Sequence, residues 1–297
     1  MNRLPRWLKQ DIPDALVWET AGNISRLGVD TVCQQALCPN INACFGRKQA
    51  AFMILGKYCT RHCRFCNISG DALRLFQEPS PDEPERIARA VRLLELKYAV
   101  ITSVTRDDLE DGGALQFIRV IESIRSADKT VKVEVLIPDF QGNTEALRKV
   151  VNCGPFVLAH NLETIERLYS VIRPQAHYRR SLRLLAKAKE LGGRLITKSS
   201  IMLGFGETKE EVMVALRDLR SSGCDIVTLG QYLAPSSRHY PVKEFILPEQ
   251  FREYSALGLG LGFKRVLSGP KARSSYDAEE LSLPARQAGK QEVLSYA

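Results

Sequence analysis

The chain lacks any apolar run long enough to cross a membrane. A spanning helix needs about 20 consecutive apolar residues, and the longest apolar runs here are strand-length. The N-terminal stretch MNRLPRWLKQDIPD has no apolar core of the kind a secretory signal carries. The protein is therefore expected to be cytoplasmic, with no membrane partner, in a compartment where thiols stay reduced. Blocks of consecutive basic residues are missing as well, and none of the usual nucleic-acid motifs occurs. Nucleic acid is not an expected partner despite a formal net charge of +8. That charge suits an acidic protein partner, or serves solubility alone.

What is present is an ordinary globular composition: 297 residues, 44% hydrophobic and 26% charged. The length allows one large α/β domain with extensions. Eight cysteines are enough for a disulfide framework, but six of them fall between positions 33 and 66. That clustering, the chain size and the missing signal favour metal. Residues 1 to about 30 read as a packing arm, with Pro5, Trp7, Leu8, Ile12, Leu16, Val17 and Trp18 as its apolar side chains.

Cys59, Cys63 and Cys66 form C-x3-C-x2-C directly after the apolar run 50–56, which reads as a buried strand. Three thiolates hold three irons of a four-iron cluster and leave the fourth open, whereas an electron-transfer cluster is usually closed by four cysteines. Upstream, Cys33, Cys38 and Cys44 form C-x4-C-x5-C in a segment broken by Pro39-Asn40 and Gly46. Zinc is the ordinary reading of such a triad and would need a nearby fourth Cys or His. The closest histidine is His62, inside the other motif.

From residue 50 the chain alternates strand and helix. Strands are expected at 50–56, 98–104, 132–138, 156–161, 194–204 and 225–233, rich in Val, Ile and Leu without strict alternation, as parallel strands buried on both faces are. Helices are expected at 83–97, 164–172, 177–191 and 209–222. Asp82 with Glu85, and Thr208 with Glu211, have the spacing of capping boxes. The fold class is therefore α/β: a partial, open parallel βα barrel of about six βα units, spanning 49–263. An N-terminal extension (1–48) carries the first triad, and a C-terminal extension (264–297) completes the chain. In such barrels the site lies on the loops after the strands. Thr102, Ser103, Asn161, Glu163, Lys198 and Ser200 cluster at expected strand ends and are the candidate cofactor-pocket residues. Cys153 and Cys224 precede strands, on the opposite face, and are expected to be small core residues.

C-x3-C-x2-C with Phe65 before its last cysteine is the signature of radical S-adenosylmethionine (SAM) enzymes. The paired triads, together with Arg273-Ser274-Ser275-Tyr276 and the stretches TSVTRDDLEDGGA, PDFQG, HNLET and GQYLAP, resemble the lipoyl synthase family over roughly residues 30 to 276. The sequence departs from the family pattern at Ala43 and Phe45, which flank the third cysteine of the upstream triad, and at Ser200, where glycine is common. The resemblance implies two [4Fe-4S] clusters and SAM. One cluster, on Cys59, Cys63 and Cys66, binds and cleaves SAM, with Phe65 near the adenine. An auxiliary cluster, on Cys33, Cys38, Cys44 and a serine of the RSSY stretch, Ser275 ahead of Ser274, is consumed as the sulfur source for C6 and C8 of a protein-bound octanoyl chain. Ser275 and the three SAM-cluster cysteines are thus the expected catalytic groups.

The implied partners are an octanoylated lipoyl carrier domain (glycine-cleavage H protein or 2-oxoacid dehydrogenase E2 domain), a reduced electron donor such as ferredoxin or flavodoxin, and a cluster-repair protein. Arg61 and Arg64 flank the cysteines and are read as tuning the cluster, docking the carrier, or simply solvated. The segment 234–248, with Arg238, His239 and Lys243, is expected to dock an acidic carrier. The alternatives are another radical SAM enzyme whose auxiliary cluster moves electrons or modifies another substrate, and a non-enzymatic iron–sulfur carrier or zinc protein. The paired triads predict about eight irons per chain with matching acid-labile sulfide; metal analysis finding zinc without sulfide would support the zinc reading instead.

Overall fold

The computed structural model describes residues 4–10, 12–68 and 77–282. Helix α1 (Ala15–Arg26), the two-residue strand β1 (Asp30–Thr31) and the short helices α2 (Val32–Gln35) and α3 (Ile41–Phe45) come first. Then follow β2 (Ala51–Ile54), α4 (Glu83–Leu93), β3 (Tyr98–Ser103), α5 (Ala114–Ala127), β4 (Lys132–Leu136), α6 (Thr144–Asn152) and β5 (Val157–Ala159). The second half runs α7 (Tyr169–Ile172), α8 (Tyr178–Gly192), β6 (Ile196–Leu203), α9 (Lys209–Ser221), β7 (Ile226–Gln231), α10 (Pro248–Gly260), β8 (Arg265–Ser268) and α11 (Ala278–Ser282).

Strands β2 to β8 pair in parallel, in chain order, and β1 lies antiparallel along the free edge of β2. Because β8 pairs only with β7, the sheet does not close, and the barrel is open. The six expected strands are present with shorter bounds. The sheet has a seventh parallel strand, β8, whose four residues lie in the stretch the sequence reading gives to the C-terminal extension. A run that short, opening on Arg265 directly after Lys264, carries too little periodicity to stand out.

Local signals fare unevenly. Thr208 and Glu211 form the capping box at α9, each side chain accepting from the other's backbone N–H. Asp82 sits at the start of α4 but makes no cap; its carboxylate accepts from the Ser80 hydroxyl and pairs with Arg86 at 3.4 Å. Asp82 has helical backbone angles, whereas a capping side chain needs an extended residue to reach back. In the N-terminal arm Leu8 and Val17 are buried, but Ile12 and Trp18 stand in solvent. Cys224 is buried and packs as expected, while Cys153 is half-buried beside the core.

The barrel interior is not wholly apolar. Lys198 on β6 and Glu134 on β4 are fully buried and joined by contacts of 2.9 and 3.2 Å, and Tyr98 on β3 donates its hydroxyl to Glu134 at 2.6 Å. Three strands are thereby tied through one carboxylate. Removing one partner of a buried pair strands a charge and costs about 3–5 kcal/mol, whereas an apolar replacement of both is far milder. Lys198→Met is accordingly expected to destabilise by about that amount in denaturant titration, and Glu134→Leu/Lys198→Met together by clearly less.

Candidate active site

The cysteine loop leaves β2 through a sharp turn, with Leu55 and Gly56 both at positive φ. Glu83, at the start of α4, accepts the Leu55 N–H at 3.1 and 3.2 Å. The loop is then anchored from three sides. Thr60 exchanges hydrogen bonds with the stretch after β3: its N–H and hydroxyl donate to the Thr105 carbonyl, and its hydroxyl accepts from Asp107 N–H. Arg64 N–H donates to the carbonyl of Ile172, at the end of α7, and Arg64 O accepts from Tyr240 N–H, both at 2.8 Å. The His239 Nε2 lies 3.2 Å from the Cys66 carbonyl oxygen.

Arg61 is neither surface-exposed nor available for docking. It is 5% exposed and forks onto Asp107 at 2.7 and 2.9 Å while reaching Asp139 at 2.5 Å. Asp139 also takes Arg180 at 2.8 Å. Burial pushes the Asp139 carboxyl up, but the two guanidinium groups outweigh it and hold the carboxyl well below the usual range. Sequence periodicity gives no sign of this, because the partners lie 46 and 78 positions from Arg61.

Each triad is gathered. Burial, then the neighbouring thiols, pushes Cys33, Cys44 and Cys66 up to about 12, and burial with Cys59 also raises Cys63. These thiols are uncharged at neutral pH unless iron displaces their protons. Among the described residues no three His, Cys, Asp or Glu side chains form a site for a single metal ion. Thiolates that each ligate a different iron of a cluster need no such convergence.

The RSSY stretch lies against the first triad. Asn40 donates to the Lys271 carbonyl at 2.6 Å, and Arg47, three residues after Cys44, pairs with Asp277 at 2.9 Å and covers the Tyr276 ring. The approach depends on Gly230 in β7. A Cβ there would overlap the Ala272 carbonyl oxygen, and the next residue, Gln231, donates its N–H to the Pro270 carbonyl. Ser274 donates to Asn161 Oδ1 at 3.0 Å. Ser275 has no side-chain hydrogen bond to any described residue. Partial burial pulls the half-buried Arg273 guanidinium down and outweighs the favourable influence of Cys38 and Glu163.

Of the strand-end candidates, Asn161 and Ser200 meet Glu163. Its backbone is left-handed at φ 67°, an uncommon conformation for a side chain of this size. It is held there by exchange with β6, N–H to Ser200 O and carbonyl from Met202 N–H. The Glu163 carboxylate accepts from Asn161 at 3.0 Å; burial raises its pKa, and Arg173 and Arg273 act against that. Ser200 is buried, and Thr102 donates to the Leu136 carbonyl at 3.2 Å. Ser103 Oγ is buried with no protein partner, and so is Arg173 Nε. Phe65 packs against Phe205, ring centroids 6.3 Å apart. Lys198 stands apart from this group, its ammonium held by Glu134.

Arg173 is a site residue that sequence reasoning missed. It follows α7, donates to the carbonyls of Asn161 and Leu162, and borders Cys63 and Glu163. An arginine before a proline in a loop has no local mark of function. The orphaned Arg173 N–H beside Cys63, with the orphaned Ser103 hydroxyl, fits a polar, carboxylate-bearing cofactor set against a cluster.

An open parallel barrel with a three-cysteine loop after its first parallel strand defines the class, the radical SAM superfamily, whose family description matches residues 53–219. The solved methylornithine synthase shares the fold, with a TM-score of 0.53 at 15% identity, over 94% of this chain and 87% of that one. Within this class the chain belongs to the lipoyl synthase family. It is 52% identical to the lipoyl synthase of Caldicellulosiruptor saccharolyticus over 280 residues, 94% of this chain and 97% of the relative. It is 50% identical to that of Alkaliphilus metalliredigens over 94% of this chain and 96% of the relative.

Gly230→Ala is expected to lower stability by about 1–3 kcal/mol through overpacking and to speed proteolysis between residues 270 and 277. Gly269→Ala, where a Cβ meets nothing within 4 Å, should leave both unchanged.

Proposed function

We propose that this chain inserts two sulfur atoms at C6 and C8 of a protein-bound octanoyl chain, with Cys59, Cys63 and Cys66 holding a [4Fe-4S] cluster that binds SAM, and Cys33, Cys38, Cys44 and Ser275 holding a second. When bound, the first cluster with SAM supplies a 5′-deoxyadenosyl radical for hydrogen abstraction, and the second supplies sulfur. The observation that carries this reading is the C-terminal segment folded across β7 onto the upstream triad, with Arg47 paired to Asp277 and Asn40 to Lys271. It brings a serine to a three-thiol set that lacks a fourth ligand.

Between the two serines, the Ser274 hydroxyl is engaged by Asn161, and Ser275 is uncommitted. That difference supports Ser275 as the ligand in this reading. Its oxygen is a harder and weaker donor to iron than a thiolate, which suits a group that must come apart. Ser274 instead ties the same segment to the SAM pocket.

In that pocket Arg173, with its spare N–H beside Cys63, is placed to bind the SAM carboxylate. Glu163 and Asn161 offer acceptors and a donor for the ribose, and Ser103, Thr102 and Ser200 complete the polar wall. Phe65 supplies an apolar face for the adenine. Lys198 acts one step removed, by fixing β6 to β4. Covered by the 270–277 segment, the mouth keeps water from a reactive radical. The substrate is an octanoylated lipoyl carrier domain; a reduced flavodoxin or ferredoxin and a cluster-repair protein serve the two clusters.

Anaerobic incubation of the reconstituted protein with SAM, dithionite and an octanoylated peptide should give the peptide a mass gain of two sulfurs, each C–H at C6 and C8 becoming C–SH, with 5′-deoxyadenosine released. In Ser275→Ala, 5′-deoxyadenosine formation should persist and sulfur insertion fall by at least tenfold. A Ser275→Cys variant with undiminished sulfur insertion would contradict the labile-ligand assignment and favour a purely redox second cluster.

A further inference from the structure

We propose that Arg64, Arg238 and Lys243 form the docking surface for an acidic one-electron donor protein, at the outer side of the Cys63–Cys66 loop. The proposal rests on the reading of that loop as the holder of a redox cluster. The chain from 232 to 247 forms a strap over the loop. Gln231 pins it from below, donating to the Glu244 carbonyl and accepting from Ile246 N–H. Tyr232 holds it from the side, donating its hydroxyl to the Tyr240 carbonyl at 2.6 Å.

The charges on this strap are arranged around one ring. The Arg64 guanidinium and the Lys243 ammonium each lie 5.7 Å from the Tyr240 ring centroid. Both residues are exposed, as is Arg238, and none of the three has a carboxylate within ion-pair distance among the described residues. Arg167, by contrast, is neutralised by Glu211 at 2.6 Å. The strap carries a single carboxylate of its own, Glu244. A cluster of uncompensated cations steers acidic proteins and speeds their encounter.

Beneath the patch the packing is aromatic. Tyr240 meets Phe205 at 6.0 Å between centroids, and Phe205 meets Phe65 at 6.3 Å. Phe65 immediately precedes Cys66, and His239 holds the Cys66 carbonyl from the same strap. A partner seated on Tyr240 therefore has continuous packed contact to the cluster loop.

This geometry separates the donor from the acidic acyl carrier, to which the sequence reading assigns the strap. The loop is stitched to Ile172 on one side and to Tyr240 on the other, and the patch lies on its Tyr240 side. An electron crosses packed side chains, whereas an eight-carbon chain needs an open path.

The test is anaerobic stopped-flow reduction of the reconstituted full-length protein, followed by cluster absorbance, with reduced flavodoxin at low salt. Arg238→Glu/Lys243→Glu, which leaves the ligand motif untouched, should lower the second-order rate about tenfold or more and flatten its salt dependence. Reduction by dithionite, the midpoint potential and the thermal melt should stay as in the unaltered protein. Arg238→Glu, away from the cluster ligands, should lower the rate about threefold, and the affinity for oxidised flavodoxin, by calorimetry, should fall in parallel. Unchanged flavodoxin rates in these variants would overturn the proposal. So would a tenfold rise in KM for an octanoylated carrier, measured with dithionite, if flavodoxin reduction were unaffected; the patch would then belong to the carrier. Absence of sulfur insertion by the unaltered protein with dithionite would defeat the lipoyl reading instead, and leaves the reduction comparison legible.

Discussion

The segment 270–277 crosses the barrel mouth only because Gly230 carries no side chain. Strand β7 is otherwise fully buried, and any Cβ at that position would force the crossing backbone outward. With it would go the contacts of Ser274 with Asn161, of Asn40 with Lys271 and of Arg47 with Asp277. Those contacts join regions more than a hundred residues apart in sequence, the last two more than two hundred. The open side of the barrel leaves room for this crossing; a closed barrel would have β8 bonded to β2 where α11 and the N-terminal helices now pack.

Charge is the second organising element. The barrel encloses Lys198 with Glu134, Arg61 with Asp139, and Arg173 and Arg273 beside Glu163. A buried charge survives only where paired and hydrogen-bonded. The first two pairs join non-adjacent strands or loops, so each also fixes geometry: Lys198 ties β6 to β4, and Arg61 sets the cysteine loop against the stretches after β3 and β4.

Much of this was legible in the residues. The C-x3-C-x2-C triad marks the radical SAM class by its spacing, and β2 to β7 show as Val- and Ile-rich runs because parallel strands are buried on both faces. Thr208 and Glu211 mark their helix correctly, since a capping box is local. Asp82 and Glu85 have the same spacing and make no cap, because backbone angles, not composition, decide whether the side chain can reach back. Arg61 was open to a solvated reading and is locked inside, and Lys198 sits at a strand position that suggests a pocket yet is held by a carboxylate from β4.

The sequence by itself determined the chemistry available: six clustered thiols, a serine pair, and the strand order that puts the Cys59 loop at the reactive end of a parallel sheet. These are properties of spacing and of period, which survive without knowledge of the fold. Tertiary structure decided which groups meet. It engaged Ser274 with Asn161, gave Ser275 no side-chain hydrogen bond to any described residue, drew Arg173 beside Cys63, and set Arg64 and Lys243 against the Tyr240 ring. The reason is physical: such contacts depend on how far one strand's end lies from another and on where a missing Cβ lets backbone pass, and neither distance is written in the local order of residues.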